Sequence, residues 1–350
     1  MSVRYIPVTW TRSKMLYDAV LIVGVVQFLW AFDTAAQRAG AVTVPTDYGS
    51  LVIRVYGSCA FVLLTLVLAI GPLARLDRRF LPLLYNRRHF GVVTCVVAVT
   101  HAYTVLDWYF AFSPTDPFVA MLAADAGDGR LATIPSVIFG VAAMLILLVL
   151  AATSHDFWLK FLGPPLWKGL HMGIYAAYAL VVAHVAFGPL QSAQKSGFAL
   201  VVVGGAALLV LLHVAAAWRD ASNARIATGH EGLIRVGEAG SIPNGRAVIV
   251  RPADGEAVAV FNDDGRYSAV SHLCAHQNGP LGEGRIIDGC ITCPWHGFQY
   301  RLVDGCAPAP FTERIATYRL VLDGDTLLLD PRPNPPGTAV PPVSLPARAA

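Results

Sequence analysis

The sequence predicts a six-helix transmembrane bundle followed by a small all-β domain, on three observations. Of its 350 residues, 55% are hydrophobic and 14% charged, with mean hydropathy +0.55; soluble domains carry roughly a quarter charged residues. The charges are uneven: residues 1–218 hold 14 Lys/Arg and 9 Asp/Glu, and the remaining 132 residues hold 12 and 14. Finally, long apolar runs give way near residue 232 to short alternating segments.

Six apolar stretches are long enough to cross about 30 Å of hydrocarbon as helices. They lie near 15–36, 51–72, 89–112, 135–153, 166–187 and 197–218. The first reads as an uncleaved helix, because Asp18 interrupts its start and an apolar-dominated run follows. Arg4, Arg12, Lys14, Arg75, Arg78, Arg79, Arg87, Arg88, Lys160, Lys168, Arg219 and Arg225 flank the helices on one side. The other side has Arg38, Arg130 and Lys195, with the acidic stretch Asp125–Asp128. Twelve positive charges against three put both termini, and the β domain, in the cytoplasm of an inner (plasma) membrane protein by the positive-inside rule. Residues 1–218 are thus the membrane domain and 219–231 a polar linker.

Residues 232–331 alternate like short strands, for example at Ala247–Arg251, Ala257–Phe261, Tyr318–Leu322 and Thr326–Leu329. Turn pairs such as Asp264-Gly265 and Asp323-Gly324 separate them. The last twenty residues hold seven prolines without apolar periodicity, so 332–350 is expected to be a disordered tail. No internal repeat is visible.

The net charge of +3, with no basic stripe, excludes nucleic acid as a partner. Four of six cysteines cluster between 274 and 306, which reads as metal chemistry rather than a disulfide framework. Cys274-Ala275-His276 is followed, sixteen residues later, by Cys293-Pro294-Trp295-His296. Each half offers one thiolate and one imidazole. Two cysteines on one iron and two histidines on the other define a Rieske [2Fe–2S] centre, whose potential lies above that of all-cysteine ferredoxins. A zinc site would pair C-x₂₋₄-C with H-x₃₋₅-H, whereas Cys and His alternate here.

Residues 232–331 resemble the Rieske family. Ser271-His272-Leu273-Cys274-Ala275-His276, Gly279-Pro280-Leu281, Cys293-Pro294-Trp295-His296-Gly297 and Asp304-Gly305 carry the resemblance. It implies a metal site of Cys274, His276, Cys293 and His296, and a third loop over the cluster at Pro308 and Pro310. Gly279 and Trp295 stand where respiratory members have a second cysteine pair, and Phe298 where they have a sulfur-bonding serine. Fewer donors imply a low, ferredoxin-like potential. Cys290 and Cys306 read as free buried thiols.

Ionisable residues inside a bilayer are costly and usually functional. His155, beside Asp156 in a loop, reads as solvated. His101 lies thirteen residues beyond Arg88, and His184 thirteen beyond His171. With both helices running outward, the pair reaches one depth in the outer half, at about 1.5 Å per residue. His89, His171 and His213 fall at the inner edge. Two imidazoles at one depth on different helices suit the opposite faces of a b-type haem.

Helices two to five resemble the ferric reductase-like transmembrane family, closest to haem-binding membrane subunits that serve periplasmic methionine sulfoxide reductases. Arg87-Arg88-His89-Phe90-Gly91 with His101, and Trp167-Lys168-Gly169-Leu170-His171 with His184, carry this resemblance. It implies haem ligation by His101, His171 and His184, with one or two haems. The expected function is electron transfer from a cytoplasmic donor (a reductase or ferredoxin-like protein) through the cluster and haem to a periplasmic or quinone acceptor. A membrane-anchored redox sensor or docking module is the alternative.

Overall fold

The computed structural model describes residues 12–41, 43–80, 83, 87–124, 136–162, 164–188, 190, 196–224, 232–253, 255–276, 278–294, 297–309 and 311–345. The described residues divide into two compact units, a helical one up to 216 and a largely β one from 217.

The helical unit contains α1 (Arg12–Arg38), α2 (Pro45–Leu76), α3 (Arg87–Phe110), α4 (Pro117–Ala124), α5 (Ser136–Ala152), α6 (Asp156–Leu162), α7 (Pro164–His171) and α8 (Gly173–Phe187). Helix α9 (Ser196–Ala224) follows. Among the described residues, five spans are long and apolar enough to cross a membrane: Lys14–Arg38, Tyr48–Leu76, Arg87–Phe110, Leu166–Phe187 and Ala199–Arg219. The sixth expected span, α5, has 17 residues. At 1.5 Å per residue this gives about 25 Å, short of the roughly 30 Å core. The structure therefore supports five full-length spans and one short apolar helix. Helix α9 continues to Ala224, through the first residues assigned to the linker. A helical rod satisfies its own backbone, so polar composition alone does not end it.

The main helix pairings are α2 with α3 and α5 with α8. Their shared core includes Phe61, Leu64, Leu68, Cys95, Ala98, Leu147, Ala177 and Tyr178. The Tyr178 ring stacks on Phe61, and its hydroxyl lies 3.1 Å from Thr65 Oγ1, which donates to the Phe61 carbonyl. The polar tips of the two side chains thus satisfy each other inside apolar packing.

The β unit has three sheets. Strands β1 (Ile234–Glu238), β10 (Thr326–Leu329) and β9 (Leu320–Asp323) form the first, in the order β1-β10-β9. The second is β11 (Val343–Ser344), β4 (Arg266–Ser271), β3 (Val258–Asp263) and β2 (Ala247–Val250), with β8 (Thr317–Tyr318) also on β4. The third is β5 (Arg285–Ile287), β6 (Cys290–Thr292) and β7 (Gln299–Arg301). Strand β3 reads as an unbroken apolar run because both its faces are covered. Val258 and Val260 face the core with Leu327 and Leu329, while Ala259 and Phe261 face the core with Cys274, Cys293 and Tyr300. Two hairpins turn on residue pairs in the left-handed region, Asp264-Gly265 (φ 50° and 78°) and Asp288-Gly289 (52° and 72°). Such primed turns match the twist of the flanking strands.

The C-terminal segment corrects one expectation. Residues 332–345 are an ordered strap, not a disordered tail. Asn334 N–H donates to the Thr317 carbonyl, Gly337 N–H to Ile315 and Val340 N–H to Val303. Thr317 Oγ1 donates to the Thr338 carbonyl, and β11 pairs with β4. Proline-rich chain is pre-extended, so ordering it by docking costs little entropy. Residues 346–350 lie outside the described residues.

Candidate redox centres

The first site sits at one end of the β unit, where two loops present cysteine. One leaves β4 and the other connects β6 to β7. Their backbones repeat a single pattern. Cys274 N–H donates to the Gly279 carbonyl, and Asn278 N–H donates to the Cys274 carbonyl. In the same way Cys293 N–H donates to Phe298, and Gly297 N–H to Cys293. The fourth residue after each cysteine is left-handed, Asn278 at φ 58° and Gly297 at φ 69°. Asparagine and glycine are the residues that adopt this conformation at least cost.

Cys274, Cys293 and His276 are buried. Trp295, His296 and Pro310 lie outside the described residues. The third loop closes on itself through Ala307 N–H to Glu313 and Ile315 N–H to Gly305. Gly305 is required there: its φ is +65°, and a β-carbon would lie 2.5 Å from the Ile315 carbonyl oxygen. Phe298 stacks on His276 at 5.0 Å and meets Phe311 edge-on at 5.2 Å. Buried thiols and imidazole behind aromatic walls fit a cluster that water must not reach.

Tyr300, absent from the sequence reading, also belongs to the site. Its hydroxyl lies 3.4 Å from Cys274 Sγ and accepts from His276 N–H at 3.3 Å. Burial, with the neighbouring Cys274, raises its pKa strongly, so it stays a neutral donor. The signal for it was a tyrosine two residues after Phe298, on the strand leaving the second loop.

His272 is buried near the cysteines and serves a different purpose. Its Nδ1 accepts from Gly282 N–H, and burial, then Arg251, lowers its pKa to about 4. The ring is neutral and clamps the first loop. Cys290 is buried as expected, whereas Cys306 is only half-buried; neither is in a disulfide among the described residues.

The second site is in the helical unit. His101 on α3 and His184 on α8 face each other with ring centroids 6.5 Å apart and planes at 71°. His101 Nδ1 is 3.0 Å from the Ile53 carbonyl, and His184 Nδ1 is 2.8 Å from the Ser136 carbonyl. A carbonyl only accepts, so each Nδ1 carries the proton and each Nε2 keeps its lone pair. A metal about 2 Å from each of two imidazole nitrogens, about 1.2 Å from their ring centres, puts the centroids about 6.4 Å apart. The two rings fit the opposite faces of a haem iron.

The other histidines separate by their partners. His171 stacks on Trp167 at 3.8 Å, with Nδ1 on the Trp167 carbonyl and a buried Nε2 that has no hydrogen-bond partner. Arg88 lies over the same indole, 5.4 Å from its centre. His213 has both nitrogens engaged, with Leu209 and with the Tyr175 hydroxyl, and His89 pairs with Asp18 at 2.7 Å. The segment carrying His171 and His184 is not one straight helix. It breaks at Met172, where the ladder tightens to a bond from Tyr175 N–H to the Met172 carbonyl.

Residues 56–182 match the family described as ferric reductase like transmembrane component, and residues 232–319 match the Rieske [2Fe-2S] domain. The chain is 32% identical over 214 residues to the heme-binding subunit MsrQ of protein-methionine-sulfoxide reductase from Ralstonia nicotianae, covering 60% of this chain and 90% of that protein. It is 30% identical over 93 residues to the ferredoxin subunit of 3-phenylpropionate/cinnamic acid dioxygenase from Escherichia coli strain K12, covering 25% of this chain and 84% of that one. Among solved structures, Sphingomonas yanoikuyae B1 ferredoxin is 30% identical over 28% of this chain and 97% of its own, with TM-score 0.27. The chain belongs to the ferric reductase-like transmembrane family and carries a Rieske [2Fe–2S] domain, which makes it a multi-pass membrane protein of electron transfer.

Proposed function

We propose that the chain passes electrons across the membrane, from a cytoplasmic reductase or ferredoxin-like donor through the Rieske cluster and b-type haem to a periplasmic or quinone acceptor. The facing pair His101 and His184, 6.5 Å apart with both Nε2 lone pairs kept for a metal, carries this reading. Cys274, His276, Cys293 and His296 hold the [2Fe–2S] cluster, and His101 and His184 hold one low-spin haem. Each group supplies a one-electron carrier. His171 serves an inner haem if the chain holds two, since its Nε2 is the one buried imidazole nitrogen of the helical unit without a hydrogen bond among the described residues.

The protein fixes tautomers, excludes water from buried thiols, and places the imidazole pair on two separate helices, α3 and α8. The twelve-to-three charge asymmetry puts both termini and the Rieske domain in the cytoplasm, with α5 completing a sixth crossing in spite of its length.

A reduced-minus-oxidised spectrum of the purified full chain, with haem and iron quantified, tests the reading. His101→Ala and His184→Ala should each remove the low-spin haem while the Rieske EPR signal persists. Wild-type protein without haem would refute transmembrane conduction and favour an anchored redox sensor.

A further inference from the structure

The two haem-facing histidines are seated in the same way. His101 Nδ1 reaches the carbonyl of Ile53 on α2, and His184 Nδ1 reaches the carbonyl of Ser136 on α5; each bond spans 48 residues. Four residues after each carbonyl is a glycine, Gly57 and Gly140. A β-carbon at Gly57 would lie 2.9 Å from His101 Cε1 and 3.1 Å from its Nδ1. A β-carbon at Gly140 would lie 2.9 Å from His184 Nδ1 and 3.1 Å from its Cε1. The sets Ile53, Gly57, His101 and Ser136, Gly140, His184 are offset by 83 residues at all three positions. They belong to the two main helix pairings of the unit, α2 with α3 and α5 with α8.

In each seat the helix carbonyl already accepts from the glycine N–H four residues on, through the normal helical ladder. The imidazole Nδ1–H takes the second lone pair of that oxygen. To reach it, the ring must lie against the backbone at the glycine, where a side chain would stand. Other glycines of the unit do not have this role: Gly91 and Gly169 have nothing within 4 Å of where a β-carbon would be.

We propose that Gly57 and Gly140 are matched positioning residues, and that α2–α3 and α5–α8 are two copies of one imidazole-presenting unit. The proposal rests on haem ligation by His101 and His184. Each glycine lets its histidine sink onto a helix carbonyl, which fixes Nδ1–H, aims Nε2 at the iron and holds the two ring planes at 71°. The atoms a new methyl would meet belong to the imidazole, so substitution displaces the ligand before it disturbs helix packing.

The test uses the full chain with Gly57→Ala, Gly140→Ala and the controls Gly24→Ala and Gly204→Ala, where a β-carbon would meet nothing within 4 Å. Haem-to-protein ratio, the low-spin haem EPR signal and the haem midpoint are read beside the Rieske EPR signal of the same sample. Near-perpendicular imidazole planes give wild type a strongly axial low-spin signal with a large maximum g value. Gly57→Ala and Gly140→Ala should each shift that maximum g and the haem midpoint, or lose more than half the haem, with the Rieske signal unchanged. The controls should match wild type in every reading.

Wild-type haem content, signal and midpoint in both seat variants would overturn the proposal. So would loss of the whole protein, Rieske signal included, in both variants, because the close approach would then serve helix packing and not the ligand. Haem retained in His101→Ala would refute the ligation itself; haem lost there but indifferent to Gly57→Ala would refute only the positioning role.

Discussion

Tyr300→Phe isolates one hydroxyl that acts on the Rieske cluster. In the wild type the hydroxyl lies 3.4 Å from Cys274 Sγ, to which it donates when that sulfur is a thiolate, and it carries no charge, because burial holds its pKa high. Reduction adds one negative charge to the cluster, and the positive end of the dipole favours that state. With about 0.4 of an elementary charge at each end, the proton about 1 Å closer to the sulfur and an effective dielectric of about 20, the gain is about 0.8 kcal/mol. At about 43 mV per kcal/mol for a one-electron couple, the midpoint of Tyr300→Phe should fall by about 35 mV. The added electron resides on the imidazole-ligated iron and not on the sulfur, so this figure is an upper one at that dielectric. The variant also removes the acceptor of His276 N–H, a buried loss of about 1–3 kcal/mol, so it should melt earlier as well. Protein-film voltammetry of the full chain reads the midpoint, with Tyr318→Phe as a buried tyrosine away from the cysteines. An intact Rieske EPR signal with a midpoint within a few millivolts of wild type would refute the reasoning.

A C-terminal green fluorescent protein fusion should fluoresce, and an alkaline phosphatase fusion at the same place should be inactive; the reverse would invert the proposed electron path. His272, at about pKa 4 when folded and about 6.5 when free, binds fewer protons in the folded state between those values. Stability of the β unit should therefore be flat above about pH 6.5 and fall by up to about 3 kcal/mol on acidification to pH 4. His272→Asn, whose side-chain oxygen replaces the Nδ1 acceptor, should flatten that slope in pH-resolved thermal melts. Ending the chain at Asp330 removes the backbone bonds from Asn334, Gly337 and Val340 to the third loop and its flanks, each worth about 1 kcal/mol. Chelators should then extract iron several-fold faster, and unchanged kinetics would show that the strap does not steady the cluster.

What the sequence made legible follows from the range of the forces involved. Long apolar runs are properties of composition, so five of the six expected membrane spans and the change to β structure could be read directly. Cys274, His276 and Cys293 could be singled out as candidates because their spacing within each loop is local and chemically restrictive. Tyr300 could not be found by counting donors near the ligands: its hydroxyl returns to Cys274 across 26 residues. The strap misled for a related reason. Proline-rich composition describes a chain that forms no core of its own, yet Thr317, Ile315 and Val303 supply backbone partners that composition does not reveal.

The helical unit separates depth from contact. Counting residues along two outward-running helices gives His101 and His184 a similar height, and the structure brings their rings together. Height says nothing of the third helix surface each ring must meet. That surface is a glycine and a carbonyl one helical turn before it, on α2 for one histidine and on α5 for the other. Neither feature carries a periodic signal, and a repeat defined by three positions 83 residues apart leaves no visible self-similarity in a background of Leu, Val and Ala. It emerges only once hydrogen bonds show which carbonyl each imidazole uses. The same logic sorts the remaining histidines. His213 and His89 share the inner edge with His171, but the first has both nitrogens engaged and the second pairs with Asp18, a distinction that residue type and depth alone do not make. In a bilayer, where a buried imidazole must be paid for by a partner, the identity of that partner distinguishes a packed histidine from one that keeps its lone pair for iron.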